Sequence, residues 1–402
     1  MNHLSQKLVP LLFALGVGMI TTVVKSETEN VEKSFSVSSG GTLDIKSDQG
    51  SIKVEAWNKN KVEVLVQKRA RNKDRMKAFK VKFEQKGNRI LVDGDSEWNN
   101  KVSLKYIVKV PKEFNLDLNT GGGSITVGDI SGEIKVDTSG GSISIGDVAK
   151  GNVDANTSGG SINVGNVGGN LKVNTSGGSI SLGNISGTSS IDTSGGSISL
   201  ESGGNDVKAD TSGGSINIGP VKGKVDVDTS GGSITIKMGD EVKANTSGGS
   251  ISVEGSKGSV DIDSSGGSLF VGSSGGPVKA ETSGGNIKIL QAKGFIEADT
   301  SGGKIEAEMI LADKNADTHV TLESAGGSIT LFVPKKLAAS VSATLEITRN
   351  ARRDYRIYSD FPLTIKGDNS DKITAKGNLN GGGDKIKINT TNGDIYIKML
   401  SD

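Results

Sequence analysis

The chain contains no cysteine, which excludes disulfide staples, thiol nucleophiles and thiolate metal sites together. Aromatic residues are 4% of its 402 residues, with two Trp and nine Phe, too few to anchor the several globular cores that such a length suggests. Apolar residues reach only 33%, against roughly 45–50% in an ordinary domain when Gly is counted. No Gly-rich stretch has the spacing of a phosphate-binding loop with its Lys-Ser/Thr ending. His319 is the only His beyond the first few residues.

Gly is plentiful, at 58 residues, and it is ordered. The string TSGGSI recurs with its Thr at 138, 157, 175, 193, 211, 229 and 246. Variants begin at Thr120, Ser264, Thr282, Thr300 and Ser324, and the spacing is 18 with single steps of 19 and 17 up to Thr300. The last step carries a six-residue insertion. Apolar residues lie four and two places before each Thr, as in Ile134/Val136, Leu171/Val173 and Val225/Val227. Two more lie five and seven places after it, as in Ile143/Ile145, Ile180/Leu182 and Ile234/Ile236. Both pairs alternate with polar residues, the period of a strand with one wet face.

Each unit therefore reads as strand, tight Gly-Gly corner, strand, looser corner. The two glycines are expected to supply positive φ where a β-carbon would clash. One unit cannot bury its own apolar face, so successive units must stack about 4.8 Å apart and pair backbones along the axis. The expected fold is an all-β parallel β-solenoid, or β-helix, of about 18 residues per rung. Right-handed coiling is favoured for parallel crossovers, although an 18-residue turn also suits a left-handed three-sided coil. Ser189 interrupts one large apolar column, and Ala155, Ala209, Ala244, Ala280 and Ala298 thin its neighbour, which implies a narrow core.

The rung grammar returns at both ends, around SDQGSI from Ser47 and TTNGDI from Thr390. Longer alternating segments at 55–112 and 332–384 break the repeat and read as antiparallel β caps over otherwise unpaired strand edges. The expected division is a signal peptide at 1–26, a first rung and basic β cap at 27–112, tandem solenoid repeats at 113–331, and a C-terminal β cap with the last rung at 332–402. The signal rests on Lys7, the apolar run Leu8–Ile20, and Val24 and Ser26 at the −3 and −1 positions of a cleavage site. That run is short for a membrane span, so no integral membrane domain is expected after cleavage, and no Cys follows it for a lipid anchor. Removing Lys7 and Lys25 leaves 45 basic against 46 acidic residues. The near balance hides segregation: residues 59–89 carry 12 basic and 3 acidic side chains, and residues 113–330 carry 14 and 26.

The segments FSVSSGGTLDIKSDQGSIKVEAW, KVPKEFNLDLNTGGGSITVGDISG, the tandem DTSGGSI units and GNLNGGGDKIKINTTNGDIYIKM together resemble the bacterial putative-adhesin domain, over about residues 31–400. The resemblance implies an exported, Gly-rich repetitive β-fold with an adhesive or envelope-associated role, and it brings no catalytic residues. This chain has more near-identical rungs than the short family pattern.

Three surfaces are candidate sites. The residue before each corner Thr is acidic or amide, so Asp192, Asp210 and Asp228 form part of an outward ladder that could coordinate Ca²⁺. The GGxGxD order of calcium-binding β-rolls is absent, and Asp and Asn could instead accept bonds from corner N–H groups. A lattice of Ser, Thr and Asn (Ser142/Ser144, Ser179/Ser181, Ser197/Ser199, Ser233/Thr235) could face a glycan, ice or another solenoid. The cluster Lys68, Arg69, Arg71, Lys73, Arg75, Lys77, Lys80 and Lys82 is the strongest charge feature and could meet anionic lipid, acidic polysaccharide or the acidic body of another copy. A smaller group, Arg349, Arg352, Arg353 and Arg356 with Tyr355 and Tyr358, sits in the second cap. Nucleic acid is not an expected partner, because the basic residues lack an aromatic platform.

Carbohydrate-active β-helices need paired carboxylates in a cleft, and corners of three to five residues are too short to wall one. The sequence thus reads as an exported, non-enzymatic structural or binding protein of adhesin type, in the periplasm or at the cell surface, with no cofactor. Its expected partner is a surface polymer, a glycan or itself. A periplasmic envelope-maintenance or stress factor acting through the basic cap is the alternative, and a polysaccharide-active enzyme a minor one.

Overall fold

The computed structural model describes residues 27–71, 73–96, 102–310, 316–349, 351, 354–367 and 370–400; the expected signal peptide lies outside them. Among the described residues, thirty-seven strands form two long sheets, with a single six-residue helix, Lys73–Ala78. Twelve successive rungs run from Phe114 to Val333, each placing its strand before the corner in one sheet and its strand after the corner in the other. All these pairings are parallel, and the corner residues stay in register from rung to rung: Thr138 pairs with Thr157, Thr157 with Thr175, Thr175 with Thr193. The fold is a parallel β-solenoid.

The apolar pairs read from the sequence point inward. Ile143, Ile162 and Ile180 are adjacent in one column and are 0–1% exposed. Side chains of successive rungs therefore lie over one another and supply the core that scarce aromatics could not. A third inward column escaped the sequence reading. Residues of the looser corner bridge in register, Ile130 to Val148 to Val167 to Ile185, and all are buried. That corner closes the core on its third side.

The Gly-Gly corner differs from expectation. None of its glycines adopts positive φ. What demands glycine at the second position is the rung below: a β-carbon at Gly141, Gly160, Gly178 or Gly196 would sit on the carbonyl of the equivalent glycine one rung earlier. The corner Thr completes the arrangement. Its hydroxyl donates to that same carbonyl at 2.6–2.9 Å on every rung from Thr120 to Thr390, and accepts from the N–H of the second glycine of its own rung, as from Gly178 to Thr175 at 3.3 Å. A buried hydroxyl ladder thus satisfies backbone groups that would otherwise be orphaned.

The ends are threaded out of chain order. Strands Gly41–Ser47 and Ser51–Trp57, the first rung in sequence, lie between the rung of Arg89–Ser96 and Ser103–Pro111 and the rung of Phe114–Thr120 and Ile125–Val127. The last rung in sequence, Asp384–Thr391 and Ile395–Met399, is likewise inserted between Val320–Val333 and the strands Ala339–Glu346 and Ile357–Ser359. Each cap therefore contributes one more parallel rung, beyond which antiparallel strands complete it: Glu27–Ser36 on Lys61–Ala70, Phe79–Lys86 on Arg89–Ser96, and Lys372–Leu379 on Ala339–Glu346. Tyr106 plugs the first cap. It is fully buried, its hydroxyl meets Ser47 Oγ at 2.8 Å, and burial raises its pKa to about 12.

Candidate binding surfaces

With the core columns fixed, every second residue of each strand faces outward, and each outward position becomes a column along the rod. On the sheet that precedes the corner, the column next to the Thr stacks Asp192, Asp210 and Asp228 on consecutive rungs. They line a shallow open groove of about 470 Å³ together with corner Ser and Thr residues. Partial burial raises the pKa of Asp210, Lys208 opposes the rise, and the carboxylates of Asp192 and Asp228 add to it. Asp263 and Asp299 are raised in the same way, first by burial and then by neighbouring carboxylates. Among the described residues, no three His, Asp or Glu side chains converge as a metal site would require.

Corner N–H groups do not turn to this column for bonds, since the Thr hydroxyl takes the N–H of the second glycine. Asn156 instead donates to Asp137 at 3.1 Å, and Asn245 to Asp228 at 2.7 Å. The Asx-to-backbone bonds occur at the looser corner, where Asp129 accepts from the N–H of Asp147, Asp147 from Asn166, and Asn166 from Asn184, at 2.8–3.0 Å. That ladder explains the Gly-Asp and Gly-Asn steps of the repeat.

On the opposite sheet, the Ser/Thr/Asn lattice separates into two columns. The first is structural: the hydroxyls of Ser142, Ser179, Ser197 and Ser233 each accept the N–H of the next rung at 3.2–3.3 Å. The second, Ser144, Asn163, Ser181, Ser199 and Asn217, is exposed and in register.

The basic cap is smaller than its sequence suggests. Lys68 is turned inward, with 6% exposure, donating to the Phe79 carbonyl at 3.0 Å and facing Glu29 at 3.5 Å. It ties strand Lys61–Ala70 to its neighbours and does not belong to the surface patch. Arg69, Arg71, Lys77, Lys80 and Lys82 are exposed, while the side chains of Lys73 and Arg75 lie outside the described residues. Lys82 stands directly across the hairpin from Asp93. In the same cap, a feature the sequence did not signal is Asp44, buried to 2% and held by Arg89 at 2.5 Å.

In the second cap, Arg352 and Arg353 lie outside the described residues. Tyr358 stacks on Tyr396 at 5.0 Å, and Lys398 lies over Phe332 and Tyr396. The Tyr358 pairing was not foreseen, because its partner arrives with the inserted last rung. His319 stacks on Phe295 at 4.6 Å, with Nδ1 2.8 Å from Asp317 and Nε2 3.4 Å from Glu297. Burial works against its charge, but the hydrogen bonds to both carboxylates outweigh it and raise the pKa. No described helix is long and apolar enough to cross a membrane.

The family model Toastrack DUF4097 matches residues 41–247, overlapping the motifs that resemble the putative-adhesin domain. No curated protein matches the chain significantly. Among the solved structures that align with it are three from bacteria. A putative cell adhesion protein from Clostridium sporogenes ATCC 15579 is 10% identical, over 93% of this chain and 100% of that one, with a TM-score of 0.16. A putative adhesin from Bacteroides fragilis NCTC 9343 is 13% identical, over 92% and 97%, with a TM-score of 0.23. A putative lipid binding protein from Parabacteroides distasonis ATCC 8503 is 17% identical, over 75% and 96%, with a TM-score of 0.22.

Proposed function

For a chain that belongs to the Toastrack DUF4097 family, we propose the role of an exported, non-enzymatic adhesive rod that binds a repetitive surface through many weak, identical contacts. The supporting observation is the register. Ser144, Asn163, Ser181, Ser199 and Asn217 stand exposed on consecutive rungs, at a repeat of about 4.8 Å. A linear array of equivalent hydrogen-bonding groups gains little from one contact and much from several at once, because each later contact forms at high effective concentration. The matching partner is itself a repeating polymer, such as a cell-surface glycan. Replacing Ser181, Ser199 and Asn217 by Arg interrupts the array without touching the core. Binding of the purified chain to cells or to isolated surface polysaccharide should then fall at least about tenfold; unchanged binding overturns the reading.

A second reading keeps one specific observation. Arg71, Lys77, Lys80 and Lys82 are exposed in one cap while the body of the rod is acidic, a polarity suited to anionic envelope polymer or lipid. Reversing these four to Glu should abolish binding to anionic vesicles if the cap is the binding end, and should leave glycan binding intact if the lattice is.

A further inference from the structure

One outward column of the solenoid alternates in charge: Lys208 feels Asp226, and Lys279 feels Asp261 and Glu297, on neighbouring rungs, yet no salt bridge is formed along the column among the described residues. Three residues before each corner Thr come Lys135, Asp154 and Lys172, stacked on consecutive rungs. After a neutral Ser190 the same order continues through Lys208, Asp226, Lys243, Asp261, Lys279 and Glu297. Avoidance of like charges between stacked strands does not explain this. The adjacent outward column on the same sheet stacks Asp192 on Asp210 on Asp228, and Asp263 on Glu281 on Asp299. Nor does ion pairing along the column explain it. Lys208 and Lys279 reach the acids two residues on in their own strands, at 3.4 and 3.0 Å, and among the described residues no salt bridge joins two members of the alternating column. Lys135, Lys172 and Lys243 are exposed and form no ion pair with any described residue.

We propose that this face docks a second copy of the chain, antiparallel, about a two-fold axis running along the strand direction and passing between the rungs of Lys208 and Asp226. Such an axis sets each outward column against itself in the partner, with rung order reversed. Lys208 then faces Asp226, Lys172 faces Asp261, Asp154 faces Lys279, and Lys135 faces Glu297, each contact occurring twice. Ser190 faces Lys243. This register sets all ten rungs of the column, Lys135 through Glu297, against one another. Moving by one rung brings like charges together. The acidic column agrees with the same placement at most of its positions: Asn156 meets Glu281, Asn174 meets Asp263, and Asp192 meets Asn245. Asp210 with Asp228 and Asp137 with Asp299 are its like-charge contacts.

The pairing is between copies of this chain and is independent of the adhesive reading, since a monomeric rod could still bind a glycan. Sedimentation of the purified chain tests it. Dimers are expected at low salt and should dissociate in about 1 M NaCl, where the screening length falls to about 3 Å. The variant K135E/K172E and the variant D261K/E297K should each sediment as monomers. An equimolar mixture of the two should restore a heterodimer, because every reversed charge then meets its complement nine or five rungs away in the other copy. Unaltered circular dichroism of each variant keeps loss of dimer distinct from loss of fold. A monomeric wild-type chain at low salt, dimers persisting in either variant alone, or two folded variants that stay monomeric when mixed would overturn the proposal.

Discussion

The stacking model makes adjacent glycines unequal, and Gly195 and Gly196 give the sharpest test. A β-carbon on Gly195 would find its nearest neighbour, the Gly177 carbonyl oxygen, at 3.4 Å, an ordinary contact. A β-carbon on Gly196 would fall on the carbonyl of Gly178 and on the backbone of Ser179, closer than 3.0 Å to each. Those atoms belong to the rung below and cannot turn aside as a side chain would. Gly196 also accepts the Thr211 hydroxyl at 2.8 Å and donates to Thr193 at 3.3 Å. Forcing the rungs apart costs about 1–3 kcal/mol for overpacking, and weakening two corner bonds adds about 0.5–1.5 kcal/mol each. Gly196→Ala should thus destabilise its rung by about 2–6 kcal/mol. Gly195→Ala should change stability by less than about 1 kcal/mol, and could raise it by restricting the unfolded chain.

Solenoid stability sums over neighbouring rungs, so the assay should be local. Hydrogen exchange at the amides of Ile180 and Ile198, which donate to Ser197 and Ser215 of the following rungs, reports the affected interfaces, with Ile287 as a distant control. A loss of about 2–6 kcal/mol accelerates exchange there by roughly 30-fold or more. Equal effects of the two substitutions, or a larger effect at Gly195, would refute the claim that backbone approach, and not conformational freedom, selects glycine at this corner.

Thr211→Val keeps shape but removes the corner hydroxyl, stranding the Gly196 carbonyl and the Gly214 N–H; a loss of about 1–3 kcal/mol is expected, whereas Thr211→Ser should be mild because Ser264 and Ser324 already fill the role. Ser189 is buried among apolar columns, its hydroxyl has no partner, and it is flanked in register by Leu171 and Val207. Ser189→Val should therefore stabilise by about 1–3 kcal/mol in thermal unfolding, and destabilisation would show that the column has no room. His319 has a raised folded pKa, so its contribution to stability is present below about pH 6.5, the ordinary His value, and is lost as pH rises through the folded pKa. His319→Gln should accordingly lower the melting temperature at pH 5.5 and leave it nearly unchanged at pH 8.5.

The rung was legible because its physics is written once per 18 residues: inward aliphatics, corner glycines and corner Thr all fall at fixed offsets. What the sequence hid were roles that depend on the neighbouring rung. The second glycine and the Thr serve the chain 14 to 16 residues away in most rungs, a contact visible only after stacking. Lys68 looked like one of eight surface charges, and only the fold turns it onto the Phe79 carbonyl. The Asp/Asn pattern at the looser corner resembled ordinary turn chemistry, but its acceptors serve the next rung and not their own. The alternating Lys and Asp column was present as a pattern, yet its offset from the acidic column became meaningful only with both on one face.

The threading of the ends follows from the same edge problem that calls for caps. A solenoid whose chain simply stopped would leave a parallel edge of unpaired N–H and C=O groups, a template for aggregation. Here the cap is built one rung beyond the body, and the strands Asp384–Thr391 and Ile395–Met399 fill the gap between them. The strand Asp384–Thr391 pairs with Val320–Ser324 on one side and Ala339–Glu346 on the other, so one segment closes two edges. It follows that losing this rung costs more than losing an interior repeat. A chain truncated after Gly382, which keeps the cap strand Lys372–Leu379 on Ala339–Glu346, should expose the edges of Val320–Ser324 and Ala339–Glu346 together and form large aggregates in light scattering. Deleting the two rungs from Thr193 through Asp228, which preserves both caps, should yield a shorter soluble rod. A truncated chain that scatters no more than the full one would mean that the cap seals the body without the last rung, and that the inserted order has no part in protecting the edge.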